Sequence, residues 1–219
     1  MNNSGKPGAA PFRLLTLAAM ALLAMAFFSP IWWVALTAPQ YPADAFPDGI
    51  RIEFHFNGVM NGCHTRPRAE IESDETLDCV HEMNTINHYI GMKPIAEGAK
   101  FEIALAPYIF IALGLMLVAF MFYSGPLWWL LALPAILVPL GFVIDYSGWL
   151  WYFGHTLSPM GAFTVKPFMP TVFGEGKVAQ FSTFSYPTYG FGLLVASSLA
   201  LVVAVLLRRK QLRAARGGQ

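Results

Sequence analysis

Side chains able to bind a metal ion are concentrated in one short part of this chain. Residues 37–103 contain four of the five histidines, both cysteines and three of the ten methionines. Imidazole suits copper in general, and thiolate and thioether groups favour its cuprous form, so a site with His and Met accommodates both oxidation states. We therefore expect copper as the cofactor. The candidate ligands are His88, His81, Met92 and His64, with His155 from a later segment.

The two cysteines, Cys63 and Cys79, permit two interpretations. In an oxidising compartment, two cysteines in one small domain most simply form a disulfide. It would close a loop of about 15 residues and stabilise the fold by about 3 kcal/mol. Alternatively, the pairs Cys63-His64 and Cys79-Val80-His81 would bring thiolates and imidazoles to one metal site. Because the chain has no CxxC motif, we favour the disulfide and keep the metal site as the alternative.

A short amphipathic helix over residues 80–90 is expected to position His81 and His88. At helical spacing its apolar residues gather on one side and its polar residues on the other. Gly91 is a plausible C-cap, and Pro94 prevents the helix from continuing. Two turns separate His81 from His88, about 10 Å, so the two imidazoles cannot hold one ion unaided. The apolar side of this helix contains Val80, Met83, Ile86 and Ile90, and the polar side contains His81, Asn84, Thr85 and His88.

Three further patterns predict local structure outside that helix. Residues 49–56 alternate between apolar and polar types, which predicts a half-buried strand with His55 on its polar face. Asn57-Gly58 then predicts a tight turn. Residues 148–153 form an aromatic belt typical of the headgroup level. The string Gly174-Glu175-Gly176-Lys177 lacks the spacing of a phosphate-binding loop, so it predicts a turn and no nucleotide.

The composition requires these elements to be carried by a membrane protein. The chain has 219 residues, of which 56% are hydrophobic and 12% charged, whereas soluble domains carry about 25% charged residues. The high hydrophobicity excludes disorder. A net charge of +1 leaves no basic excess to neutralise phosphates, so we expect no nucleic-acid partner.

Four apolar stretches are long enough to cross a bilayer. The expected fold class is an all-α membrane protein, with four transmembrane helices and a small α+β periplasmic domain between helices 1 and 2. Residues 14–28 could instead be the core of a cleaved signal peptide, although the run is long for one. The predicted organisation is a cytoplasmic tail (1–13), a first span (14–36), a periplasmic domain (37–103), a second span (104–123), a third span (126–146), a periplasmic loop (147–188), a fourth span (189–207) and a basic cytoplasmic tail (208–219).

The charges orient these spans. Residues 1–13 and 208–219 contain seven bases and no acid, whereas residues 37–103 contain eleven acids and five bases. By the positive-inside rule, both termini are cytoplasmic and the acidic segment faces outward. We therefore expect a multi-pass protein of a bacterial inner membrane, with the lipid bilayer as its first partner.

Three strings resemble those of a family of bacterial four-span membrane proteins. They are Ala38-Pro39-Gln40-Tyr41-Pro42, the string from Asn84 to Met92 that contains NHYIGM, and Gly154-His155 followed by Leu157 and Pro159. That family is associated with gene neighbourhoods for nitrous oxide reductase and copper-protein maturation, of the NosB/NosL type. The resemblance implies a membrane location and an association with copper, but no mechanism.

The expected function is that of a non-catalytic accessory protein. Its outward domain would help to deliver or retain copper, or another redox cofactor, for a membrane or periplasmic oxidoreductase. The alternative is a structural accessory subunit of a respiratory or monooxygenase membrane complex, with ordinary interface histidines. We expect no enzyme activity, because GxSxG and HExxH motifs are absent. We also expect no covalent haem, because CxxCH is absent.

Overall fold

The computed structural model describes residues 10–44, 46–63, 77–162, 164–178 and 180–217. Within these ranges the chain forms five α-helices and one antiparallel sheet of five strands. The helices are α1 (Ala10–Phe27), α2 (Cys79–Tyr89), α3 (Lys100–Phe122), α4 (Leu133–His155) and α5 (Tyr189–Gly217). The strands are β1 (Trp32–Thr37), β2 (Ile50–His55), β3 (Gly58–Asn61), β4 (Gly174–Val178) and β5 (Phe181–Pro187), in the order β3-β2-β1-β5-β4.

The predicted all-α fold with four spans is wrong. Among the described residues, three helices are long and apolar enough to cross a membrane, namely α3, α4 and residues Tyr189–Ala215 of α5. Helix α1 is apolar but shorter. These helices indicate a membrane protein, and the sheet makes its fold a mixed one.

The error lies mainly in the predicted first span, residues 14–36. Helix α1 ends at Phe27, and the Ser29 hydroxyl donates to the Met25 carbonyl at 2.8 Å in its last turn. Pro30 cannot continue the helix because it has no N–H and its ring clashes with the preceding turn. The β-branched and aromatic residues that follow favour extended backbone, and they form β1 at the centre of the sheet.

The two segments that were expected to face outward, residues 37–103 and 147–188, contribute to the same sheet. β1 pairs with β2 of the first segment and with β5 of the second, so that Val34 lies between Ile52 and Ser185. The predicted turn at residues 174–177 is wrong, since these residues belong to β4, which pairs with β5. The predicted strand and tight turn are confirmed by β2 and its hairpin with β3. The two segments therefore belong to one domain, built on the five-stranded sheet.

The helices form a bundle beside this domain. α1 packs along α5, where the Ser197 hydroxyl donates to the Ala19 carbonyl at 3.0 Å. Leu117 and Phe120 of α3 are fully buried against this pair. The predicted third span, residues 126–146, is shifted: a 3-10 turn at Trp128–Leu131 precedes α4, which has a proline in its first turn. α3 packs more on α1 than on α4, so α3 and α4 are weakly joined.

Candidate functional site

The predicted helix is confirmed as α2, which contains His81 and His88, two of the five candidate ligands. Asp78 caps its N-terminus, because the carboxylate accepts from the N–H groups of Val80 and His81 at 3.0 and 3.1 Å. Gly91 follows its end with φ of 75°, the left-handed conformation expected after a helix. Met83 and Ile86 are buried against the sheet.

The predicted disulfide is confirmed. Cys63 and Cys79 are bonded, with 6.0 Å between their Cα atoms, so their sulfurs are not metal ligands here. The Asn61 side chain supports the link, because its oxygen accepts from the N–H groups of Cys63 and Cys79 at 3.1 and 3.2 Å. Its amide donates to the Leu77 carbonyl at 2.7 Å. Asn61 therefore joins both ends of the enclosed loop.

The predicted ligands lie in different surroundings. His81 and His88 are both exposed on the side of α2 that faces away from the sheet. Met92 is half-buried and lines a cavity beneath α2, and His64 lies outside the described residues. Within the described ranges, no group of three or more His, Cys, Asp or Glu side chains could hold a metal ion together.

His155 stands at the end of α4 with one ring nitrogen engaged. Its ring stacks on Trp151, with 4.5 Å between centroids and 19° between planes. Nδ1 lies 2.8 Å from the Trp151 carbonyl oxygen, which requires the proton on Nδ1 for a hydrogen bond. The exposed ring then offers Nε2 as a free acceptor, the arrangement typical of metal-binding histidines.

The segments that contain Tyr41, Gly91 and Ser158 meet at α2 and at the turn that follows it. The Tyr41 hydroxyl donates to the Glu82 carboxylate at 3.5 Å. At the other end of α2, the Ser158 N–H donates to the Gly91 carbonyl at 2.7 Å. A side chain at Gly91 would collide with the Ser158 backbone, so the close approach requires glycine. Lys93 continues this junction, because its ammonium donates to the Tyr152 hydroxyl at 2.8 Å.

Several titratable groups near α2 have shifted pKa values. Burial raises the pKa of Tyr41, and the Glu82 carboxylate adds to that shift. Burial lowers the pKa of His55, although the Glu53 carboxylate opposes this. The hydrogen bond to Tyr152 raises the pKa of Lys93. The expected exposed position of His55 is wrong, since its side chain is only 9% accessible.

A cavity of about 360 Å³ lies between the sheet, α2, α3 and α4. Its walls are mostly aliphatic and aromatic, and its volume is in the range of roughly 300–1,000 Å³ typical of small-molecule sites. Sequence reasoning missed this site, whose polar lining includes Asn87, Glu102, Asp145 and His55. For Asn87 there was a signal, because it follows Met83 by four residues and so shares the buried face of the helix.

The comparisons leave the function to be argued from these residues. No protein-family model matches the chain, and no curated protein matches its sequence. A fold by itself does not imply an activity, because unrelated functions share folds. The chemistry of α2 and of the cavity beneath it therefore carries the functional interpretation.

Proposed function

We propose that this chain is an accessory protein of a bacterial inner membrane that passes copper to a membrane or periplasmic oxidoreductase. The sheet and α2 face outward in this proposal, and copper is the cargo rather than a resident cofactor. His81 and His88 act as the entry ligands. Met92 and His155 are the secondary candidates.

The observation that supports this proposal is the open presentation of two imidazoles on a fixed helix. His81 and His88 are exposed on one side of α2, while the disulfide and the Asp78 cap hold its first turn in place. Neutral imidazole binds copper readily, and a partner can supply the remaining ligands.

This geometry favours delivery over permanent retention. A retained ion needs several protein ligands at bond distance, and no such group occurs among the described residues. The two imidazoles stand about 10 Å apart along the helix. Each can therefore hold an ion only in an incomplete shell, which a partner is able to take over.

Copper binding by the purified full-length protein tests the proposal. The wild type is expected to bind close to one copper ion per chain and to keep a measurable fraction after mild dialysis. His88→Ala is expected to lower the affinity at least about tenfold, because it removes a direct ligand. The measurement is competition with a chromophoric copper chelator, in detergent, for both oxidation states.

Tyr89→Ala is the matched control for that substitution. Tyr89 is 52% exposed on the same helix, and its loss removes a ring without removing a metal ligand. Its copper affinity is expected to equal that of the wild type. Complete loss of copper from the wild type on dialysis would contradict the proposal. If the protein then migrated in a stable large assembly without metal, the structural-subunit alternative would be favoured.

We also propose that both termini are cytoplasmic. Arg208 of α5 lies over the ring of Phe12 in α1, with 5.2 Å between its Cζ and the ring centroid. The basic ends of these helices therefore lie together, and the acidic domain lies at the opposite end of the bundle. The positive-inside rule favours the basic end in the cytoplasm.

Thiol labelling of spheroplasts tests this orientation. Both native cysteines are in the disulfide, so one introduced cysteine provides a single reactive thiol. A membrane-impermeant maleimide is expected to label Met60→Cys, which replaces an exposed side chain of β3, in intact spheroplasts. It is expected to label Arg209→Cys only after permeabilisation. The reverse pattern would contradict the proposed orientation.

A further inference from the structure

The walls of the cavity beneath α2 come from the sheet, from α2 and from the long helices α3 and α4. Val34 and Ile52 of the sheet and Ile86 of α2 form its outer part. Ala106 of α3 and Phe142 of α4 form the part that lies between the helices. Because α3 and α4 are weakly joined, the cavity lies where a lipid molecule could enter between two helices.

One polar side chain of the cavity wall forms no side-chain hydrogen bond among the described residues. Asn87 is only 9% exposed and lines the cavity, and its side-chain amide forms no hydrogen bond within the described part of the chain. A ligand with a hydrogen-bonding group, such as an ester carbonyl, would give this amide a partner inside an otherwise mostly apolar wall.

Two carboxylates, both on exposed residues, lie on the cavity wall together with the half-buried His55. Glu102 of α3 and Asp145 of α4 both line it, and they interact electrostatically with each other. Within the described residues neither of them forms a salt bridge. A ligand headgroup with a positive charge would therefore be attracted, and an anionic headgroup would be repelled.

We propose that this cavity binds one acyl chain of a membrane phospholipid with a primary ammonium headgroup, such as phosphatidylethanolamine. The acyl chain occupies the apolar space between α3 and α4. The Asn87 amide donates to an ester carbonyl, and the ammonium lies near Glu102 and Asp145. This proposal is independent of copper binding.

Filling the cavity tests the proposal. Gly141 lines the cavity and Gly148 does not, yet both lie in α4 and at both an added Cβ would meet no atom within 4 Å. Gly141→Phe is expected to lower co-purifying phosphatidylethanolamine at least about fivefold, because the ring occupies the ligand's space. Gly148→Phe is expected to retain the wild-type amount. The readout is quantitative mass spectrometry of lipid extracted from protein purified in mild detergent.

A second variant keeps the test decisive if Gly141→Phe does not fold. Asn87→Leu removes the unpartnered amide, so it is expected to raise the unfolding temperature of delipidated protein and to lower its lipid retention. If Asn87 had a purely structural role, Asn87→Leu would change the unfolding temperature and the lipid retention in the same direction, and this result would overturn the proposal. So would equal lipid content in Gly141→Phe and Gly148→Phe.

Competition in nanodiscs tests the headgroup. Phosphatidylethanolamine is expected to be retained in preference to phosphatidylglycerol, and Glu102→Gln with Asp145→Asn is expected to remove that preference. Equal retention of both lipids by the wild type would overturn the assignment of an ammonium headgroup.

Discussion

Replacing Cys63 and Cys79 by alanine is expected to lower the stability of the domain that contains the sheet and α2 by about 3 kcal/mol. The disulfide restricts the unfolded chain, and the chain-entropy model gives this value for a loop of about 15 residues. In a chain of this size the loss corresponds to a decrease of about 6–12 °C in unfolding temperature. Cys79 is fully buried beside Met83 and Ile86, so its replacement also loosens the first turn of α2.

The measurement is thermal unfolding in detergent, with and without a reducing agent. Reduction of the wild type is expected to reproduce the loss, whereas the double variant, Cys63→Ala with Cys79→Ala, is expected to be insensitive to the reductant. An unchanged unfolding temperature of fully reduced wild type would contradict the prediction. Asn61→Ala provides a comparison, because it removes hydrogen bonds to both ends of the loop while leaving the covalent bond intact.

Arg208→Ala is expected to destabilise the helix bundle by about 2–4 kcal/mol. Arg208 is only 3% exposed, and its Nη2 donates to the Tyr123 carbonyl at 2.6 Å. Its guanidinium lies over three rings, those of Phe12, Phe120 and Trp128, at 5.0–5.2 Å from their centroids. One side chain thus joins α1, α3, α5 and the turn before α4.

Arg209→Ala is the matched control for Arg208→Ala. Arg209 is the next residue of the same helix, carries the same charge and is exposed. Thermal unfolding in detergent is expected to show a decrease of about 5–15 °C for Arg208→Ala and little change for Arg209→Ala. Equal unfolding temperatures for the two variants would contradict the prediction, because the buried contacts of Arg208 would then add no stability.

Local patterns predicted the parts of the fold that depend on neighbouring residues. The alternation in β2, the Asn57-Gly58 turn and the amphipathic α2 are all confirmed. β1 was missed because its apolar residues follow α1 without a charged break, and only Ser29-Pro30 marks the change. β4 was missed because Gly174 and Gly176 are typical of turns, and the pairing with β5 that makes them a strand is a tertiary contact.

The candidate site was predicted in part for the same reason. Periodicity placed His81 and His88 on the exposed side of α2, where the structure has them. It could not predict that the turn at Gly91 would pack on Ser158, which is 67 residues away in sequence. Periodicity also could not predict the cavity. Its walls come from the sheet, α2, α3 and α4, which lie close together only because residues far apart in the sequence pair in one sheet.

Two of the connections between the sheet and the bundle, from α1 to β1 and from β5 to α5, are short. β1 and β5 are neighbours in the sheet, and α1 and α5, which join them, are neighbours in the bundle. Only Thr188 separates β5 from α5, and its N–H donates to the Ile31 carbonyl at 3.0 Å. A partner that tilts the domain containing the sheet therefore also tilts α1 and α5. Because these helices pack along each other, the displacement extends along them to the rings around Arg208 at the opposite end of the bundle.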